Sequence, residues 1–336
     1  MTEKCFLQSK KEPVSESAKP DCHFGGNEKG SLSLIPQRAD TVDASAWMDR
    51  PRRLLRLIRY RFLVLAGLLP YLAGSAAARG AERAGRWDFF LIGLLGIGCA
   101  LVAVEAFNEY FDSHTGNDTV FSQSRVEPLP RRVLWLACAA LGLSGAAGLW
   151  LAHLRDARIM AFAGAGAIAA VFYVGPPLRL AYRGLGEITI ALCYGPLMLC
   201  GAYYLQAGHL TRTPLLLSAP AALLIFGLVL VNELPDYYQD LLVDKRNLVV
   251  RLGRRRAAKL YGAVLALAYA AVVAGLLLRA IPPAAALFLP SGLWAWRMAG
   301  TAVRQAESPR KIIPAIRGTI LLFSGFLALS ALAYLI

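Results

Sequence analysis

From about Arg61 to Ile336 the chain is a succession of apolar stretches, each close to the 17 to 25 residues that a helix needs to cross a bilayer. They begin at about Arg61, Asp88, Val133, Arg158, Leu185, Pro214, Lys259, Pro282 and Ile312. The expected fold class is therefore all-α: a polytopic bundle of about nine transmembrane helices around a central cavity. Composition agrees. With 57% hydrophobic and 17% charged residues over 336 positions, and a mean hydropathy of +0.48, the chain is too apolar for a soluble domain of its length.

Residues 1–50 are polar, rich in Ser, Lys, Glu, Pro and Gly, and lack the apolar core of a signal peptide. They read as a disordered cytoplasmic tail ahead of a membrane domain spanning residues 51–336. The six cysteines, at positions 5, 22, 99, 138, 193 and 200, form no C-x-x-C pair, which argues against a disulfide framework or a zinc site.

The net charge of +14 raises the prospect of nucleic acid, but its distribution excludes that partner. Arginines crowd before the first span, and Lys and Arg crowd the loops after spans two, four, six and eight, about three times as densely as the other loops. By the positive-inside rule the N-terminus and those loops face the cytoplasm, in a cell inner membrane, with membrane lipid as the surrounding partner.

Two of these apolar runs end in acids. Span two closes in NEYFDSHTGND, residues 108 to 118, and span six in NELPDYYQD, residues 232 to 240; both contain N-E-x-x-D. Their separation by four spans puts both on one side, where they can converge, and hints at an internal duplication. On a helix Asn108 and Asp112 share a face with Glu105 one turn earlier, and Asn232, Asp236 and Asp240 follow at successive i, i+4 steps. Pro235 interrupts the second set and is expected to kink it, aiming Asp236 and Asp240 inward.

Carboxylates at i, i+4 repel one another, and neither cluster contains a Lys or Arg. Grouped carboxylates with amide oxygens suit magnesium, which binds through one or two carboxylates and substrate phosphates. Lys245 and Arg246 follow the second cluster, and Arg179 and Arg183 lie in the loop after span four. Acids and bases together fit a magnesium diphosphate, and a greasy bundle around it fits a polyprenyl tail. Metal and basic groups would stabilise charge on the departing diphosphate, and the apolar walls would keep water from the carbocation.

Three segments resemble the UbiA-type intramembrane prenyltransferases, most closely the branch that prenylates 1,4-dihydroxy-2-naphthoate. The first cluster is similar to that branch's N-D-Y-F-D-x-x-x-G-x-D, with Glu109 in place of an aspartate. The stretch NELPDYYQDLLVDKRNLVVRLG is similar to N-x-x-x-D-x-x-x-D followed by G-K-R-T-L-A-V-R-L-G, with Asp244 where glycine is common. The third, YVGPPLRLAYRGLGE, residues 173 to 187, is similar to Y-x-x-P-P-x-x-L-x-Y-R-G-L-G-E.

The resemblance implies a UbiA-like helical bundle and Mg2+-dependent transfer from polyprenyl diphosphate to an aromatic acceptor, in menaquinone biosynthesis. It implies metal ligands Asn108, Asp112, Asp118, Asp236 and Asp240, and diphosphate contacts from Asn108, Asn232, Arg179, Arg183, Lys245 and Arg246. Catalysis would rest on Asp112, Asp236, Asp240 and Tyr173, with Tyr182 mostly structural and Glu187 just inside span five. No obligatory protein partner is implied. Other acceptors of the same superfamily, such as 4-hydroxybenzoate or homogentisate, stay open, as do a transporter and a non-catalytic lipid-diphosphate-binding protein.

Overall fold

The computed structural model describes residues 67–115 and 128–336, so the expected N-terminal tail and Asp118 lie outside the described residues. The chain runs through α1 (Leu69–Glu82), α2 (Trp87–Thr115), α3 (Arg131–Leu154), α4 (Ile159–Phe172), α5 (Gly186–Ala207), α6 (Arg212–Glu233), α7 (Tyr237–Leu242), α8 (Leu248–Leu252), α9 (Arg254–Leu277), α10 (Gly292–Arg304) and α11 (Pro309–Leu335). Short 3-10 segments occupy Leu180–Arg183 and Pro283–Ser291, and α5 carries a π-helical turn at Cys193–Leu197. No strand occurs among the described residues.

The all-α expectation holds; a count of nine full spans is not established. Among the described residues, six helices, α2, α3, α5, α6, α9 and α11, are long and apolar enough to cross a membrane. Among the described residues, the other three expected spans are shorter pieces. α1 and α4 have 14 residues each, about 21 Å at 1.5 Å per residue. The eighth begins as the 3-10 segment Pro283–Ser291, where Pro283 and Pro290 deny backbone donors, and becomes α-helical only at Gly292.

Hydrogen bonds show which helix ends meet. At one end the amide of Arg246 donates to the carbonyl of Tyr182 at 3.2 Å, the amide of Leu248 to Glu187, and Arg254 pairs with Glu307. At the other, the Tyr334 hydroxyl donates to the carbonyl of Ala280 at 2.9 Å, and the Arg86 amide to Gln206 Oε1 at 2.8 Å. Both acidic clusters lie at the first end.

The main core is built by α1, α5, α6, α9, α10 and α11, with Leu217, Leu224, Tyr261, Phe323 and Phe326 fully buried. A second cluster joins Ala103 and Phe107 of α2 to Ala137 of α3 and to Val174 and Ala181. A third, around Tyr71, Phe89, Leu151 and Leu205, closes the opposite end. Leu91, Trp135, Leu149, Leu267 and Trp296 point outward, the apolar exterior expected of helices in lipid. The four described cysteines, Cys99, Cys138, Cys193 and Cys200, are free.

α1 can lie against α5 because small residues face it: a Cβ added at Gly74 would stand 2.2 Å from the carbonyl oxygen of Leu199. Backbone cannot yield as a side chain can. Gly74→Ala is therefore expected to cost about 1–3 kcal/mol and to lower the midpoint of thermal unfolding in detergent by several degrees. Gly98→Ala, which would meet nothing within 4 Å, should leave that midpoint unchanged.

Candidate active site

α2 keeps its helical period to Thr115, so Glu105, Asn108, Glu109 and Asp112 fall on the side turned toward one cavity of about 670 Å³. α6 stops at Glu233, and Pro235 sits in the turn before α7. The break works as the sequence suggests: Asn232, Asp236 and Asp240 line the same cavity, and Asp240 is 2% exposed. Tyr173, just past α4, and Lys245 complete the polar mouth. Below it the lining is apolar, ending near Tyr71, Phe162 and Leu205.

Hydrogen bonds fix several of these groups. Asn247 Nδ2 donates to Asp240 Oδ2 at 2.6 Å, while its Oδ1 accepts from the Val250 amide at 2.8 Å and caps α8. The Tyr182 hydroxyl donates to Asp112 Oδ1 at 3.1 Å, with Thr115 Oγ1 also 3.1 Å away. Burial, then the charge of Asp112, pushes the Tyr182 phenol up to about 12, so it stays a donor.

Lys245 Nζ lies 3.4 Å from Asp240 Oδ1. Burial opposes the ammonium charge, but the carboxylates of Asp240, Asp112 and Glu233 outweigh it and hold the Lys245 pKa above the ordinary lysine value. The Asp240 carboxyl is raised by burial, an effect that Lys245 partly offsets.

The other expected basic ligands are not brought to the cavity. The Arg179 guanidinium sits 5.8 Å from the Tyr182 ring centroid, Arg183 donates to the Pro177 carbonyl at 3.1 Å, and Arg246 Nε donates to Asp244 at 2.7 Å. All three arginines are exposed. Asp244, at the glycine-preferring position, has φ of 54°, and its carboxylate gives Arg246 a partner outside the cavity.

The described lining thus carries Glu105, Glu109, Asp112, Glu233, Asp236 and Asp240, six carboxyl groups against the single ammonium of Lys245. No three His, Cys, Asp or Glu side chains among the described residues gather as a metal cage. Asn108 Oδ1 is buried without a hydrogen-bond partner. Hard oxygen donors on two facing walls fit magnesium, which completes its octahedron with phosphate oxygens and water.

Sequence reasoning missed three groups. Glu233 stood inside a quoted motif as a variable position, although an acid at the end of an apolar span is itself a signal. Asn247 was legible as an N-cap before Leu248–Leu252, but its bond to Asp240 was not. Tyr182 fixes Asp112 as well as anchoring its loop.

Residues 67–333 match the UbiA prenyltransferase family. The chain is 32% identical to the 1,4-dihydroxy-2-naphthoate octaprenyltransferase of Mycobacterium tuberculosis over 262 residues, 75% of this chain and 86% of that one. It is 27% identical to the 2-carboxy-1,4-naphthoquinone phytyltransferase of Synechocystis over 250 residues, 73% and 81% of the two chains. Among solved structures, a UbiA homologue from Archaeoglobus fulgidus aligns with a TM-score of 0.61 at 19% identity, covering 85% of this chain and all of that one. The same homologue bound to GPP and Mg2+ aligns at 0.54, with 17% identity, over 84% and 100% of the chains.

Because Asn247 joins Asp240 to the cap of α8, Asn247→Ala is expected to cost about 1–3 kcal/mol for the lost bond to the buried Asp240 Oδ2 and the lost cap. Asn247→Asp should cost more by setting a second carboxylate against Asp240. Thermal melts of the purified protein in detergent would rank the two.

Proposed function

The chain belongs to the UbiA prenyltransferase family and is a prenyl-transferring enzyme integral to the membrane, and on that basis we propose that it transfers a polyprenyl group from polyprenyl diphosphate to 1,4-dihydroxy-2-naphthoate. The observation that carries this reading is the meeting of Asp112 with Asp236, Asp240 and Lys245 at the mouth of one apolar-walled cavity. The relatives from Mycobacterium tuberculosis and Bacillus subtilis, both named 1,4-dihydroxy-2-naphthoate octaprenyltransferases, support the acceptor.

Asn108 and Asp112 on one wall, and Asp236 and Asp240 supported by Asn232 on the other, would hold Mg2+, as the GPP- and Mg2+-bound homologue suggests. Asp118 joins this set on the sequence motif alone. When bound, the metal neutralises the carboxylates and supplies a Lewis acid for the leaving diphosphate. Lys245 contributes a fixed ammonium to the same oxygens. Arg179, Arg183 and Arg246 are not assigned to the diphosphate.

The allylic C–O bond breaks with its electron pair going to diphosphate, and the acceptor ring carbon donates a pair to form the new C–C bond. That carbon then loses its carboxylate as carbon dioxide, the C–C electron pair restoring the aromatic ring, so the product is a prenylated dihydroxynaphthalene. Tyr182 keeps Asp112 oriented, and the apolar wall down to Tyr71 and Phe162 houses tail and excludes water. We place the acidic mouth on the cytoplasmic side of the inner membrane, where the Lys- and Arg-rich loops lie.

Purified protein in lipid, given Mg2+ and a polyprenyl diphosphate with dihydroxynaphthoate and 4-hydroxybenzoate side by side, should form product from the naphthoate alone, with loss of carbon dioxide seen by mass. Product from hydroxybenzoate alone would move the acceptor elsewhere in the family. Asp112→Asn and Asp236→Asn should each lower turnover at least about 100-fold with the unfolding midpoint unchanged, and near-normal turnover in either would remove it from the site.

A further inference from the structure

The relatives differ in the tail their names carry, octaprenyl in one and phytyl in another, so membership of the family leaves the length open. The cavity supplies a measure of it. On α2 the lining recurs at every turn from Asp112 at the mouth to Gly93, 19 positions or about 28 Å at 1.5 Å per residue. On α5 it runs from Thr189 to Leu205, 16 positions or about 24 Å.

At Gly93 the cavity is shut. A Cβ there would stand 2.3 Å from the Tyr71 hydroxyl and 2.7 Å from Leu205 Cδ2, so α1 and α5 both press on α2 at this level. Tyr71 is 2% exposed, and its hydroxyl donates to the Phe90 carbonyl at 2.8 Å. Behind it the Arg86 guanidinium covers the Phe89 ring, 4.1 Å from the centroid, and Arg155 donates to the Gln206 carbonyl at 3.1 Å. A tail pushing through would break the bond from Tyr71 to Phe90 and set hydrocarbon among guanidinium groups.

The lower walls are closed as well. A Cβ on Gly96 of α2 would lie 3.3 Å from Ala147 Cβ of α3, and one on Gly148 of α3 would lie 3.4 Å from Ala163 Cβ of α4. One on Gly201 of α5 would lie 3.2 Å from the Phe162 ring of α4. Each of these helices therefore touches the next, and the described walls form a blind tube that ends at Tyr71.

Resting on the prenyl-transfer reading of the site, we infer that this blind end selects the donor by length: the enzyme takes a prenyl diphosphate of about five units, with Tyr71 as the stop. Each unit adds four chain bonds, roughly 5 Å when extended, so five fill the distance from Asp112 to Gly93. A longer tail has to fold back within close-packed walls, and that overfilling weakens binding. A shorter one leaves the lower wall uncovered and forgoes apolar contact. Gly145 gives access to the middle of the tube, because it lines the cavity and a Cβ on it would meet nothing within 4 Å.

The length series tests this. In nanodiscs of one lipid composition, with Mg2+ and dihydroxynaphthoate, prenyl diphosphates of two to eight units are offered in pairs at equal mole fraction. Wild type should favour the five-unit over the eight-unit donor by at least about tenfold in kcat/KM. Tyr71→Ala should narrow that ratio to within about threefold. Gly145→Leu should act from the other side, lowering kcat/KM for the five-unit donor about tenfold more than for the two-unit donor.

A wild type that uses five-unit and eight-unit donors equally, or a Gly145→Leu protein that slows donors of every length alike, overturns the inference. If Tyr71→Ala does not fold, the Gly145→Leu comparison decides. Failure of the underlying reading looks different, because the naphthoate then gives no product with any tail. In that case Mg2+-dependent binding of prenyl thiodiphosphates carries the length series: tighter binding of five units than of eight is expected, and equal binding overturns the inference.

Discussion

Among the described residues, six carboxyl groups facing one ammonium within a helical bundle set the terms for everything around them. At an effective dielectric of about 20, two like charges about 6 Å apart repel by roughly 3 kcal/mol, and the deep interior screens less. The chain limits that cost by placing the acids at the ends of α2 and α6, where water or a cation can reach them, with Glu105 furthest in. It limits it again with donors: Tyr182 to Asp112, Asn247 to Asp240, and the Leu248 amide to Glu187. What remains is a field that attracts divalent cations and, through them, a diphosphate. In the function proposed above, the anionic substrate is recognised by way of its counterions, with Lys245 the one described protein cation in the cavity.

That arrangement needs two connections to act as one cap. The loop after α4 brings Tyr173 and Tyr182, and the segment from Pro235 to Arg254 brings Asp236, Asp240, Lys245 and Asn247. They are stitched by the Arg246 amide on the Tyr182 carbonyl and by Leu248 on Glu187. Gly184, with φ of 72°, takes the left-handed conformation that favours glycine, and a Cβ there would stand 3.3 Å from the Arg246 carbonyl oxygen where the first loop turns under the second. At the outer edge Arg254 pairs with Glu307 and lies over the Tyr238 ring at 4.7 Å, joining the cap to the loop before α11. A shift in any of these contacts moves a carboxylate relative to its neighbours.

The apolar half of the cavity follows a different logic. Small residues of α2, α3 and α4, such as Gly96, Gly145 and Gly166, line it, leaving room that larger side chains would fill. The main core among α1, α5, α6, α9, α10 and α11 is packed instead with large buried groups such as Tyr261, Phe323 and Phe326. Large packed side chains lie on one side of the cavity and open volume on the other, which suits the proposed binding of a flexible tail beside a fixed diphosphate.

What the sequence by itself determined were the properties that depend on near neighbours in the chain. Apolar run length set the helical class, because backbone hydrogen bonds in lipid must close within a segment. The four-residue spacing of Asn108 with Asp112, and the break at Pro235, put the two acidic clusters on cavity faces, because a helical period and a missing amide act locally. Tertiary structure decided the rest. Arg246 follows Lys245 directly, yet one lies outside with Asp244 and the other inside with Asp240, a choice made by how the turn after α7 docks on the loop after α4. The contact of Glu187 with Glu233 and the reach of Tyr182 to Asp112 likewise depend on packing between segments distant in sequence. Electrostatic interactions act through space, and only the fold fixes those distances.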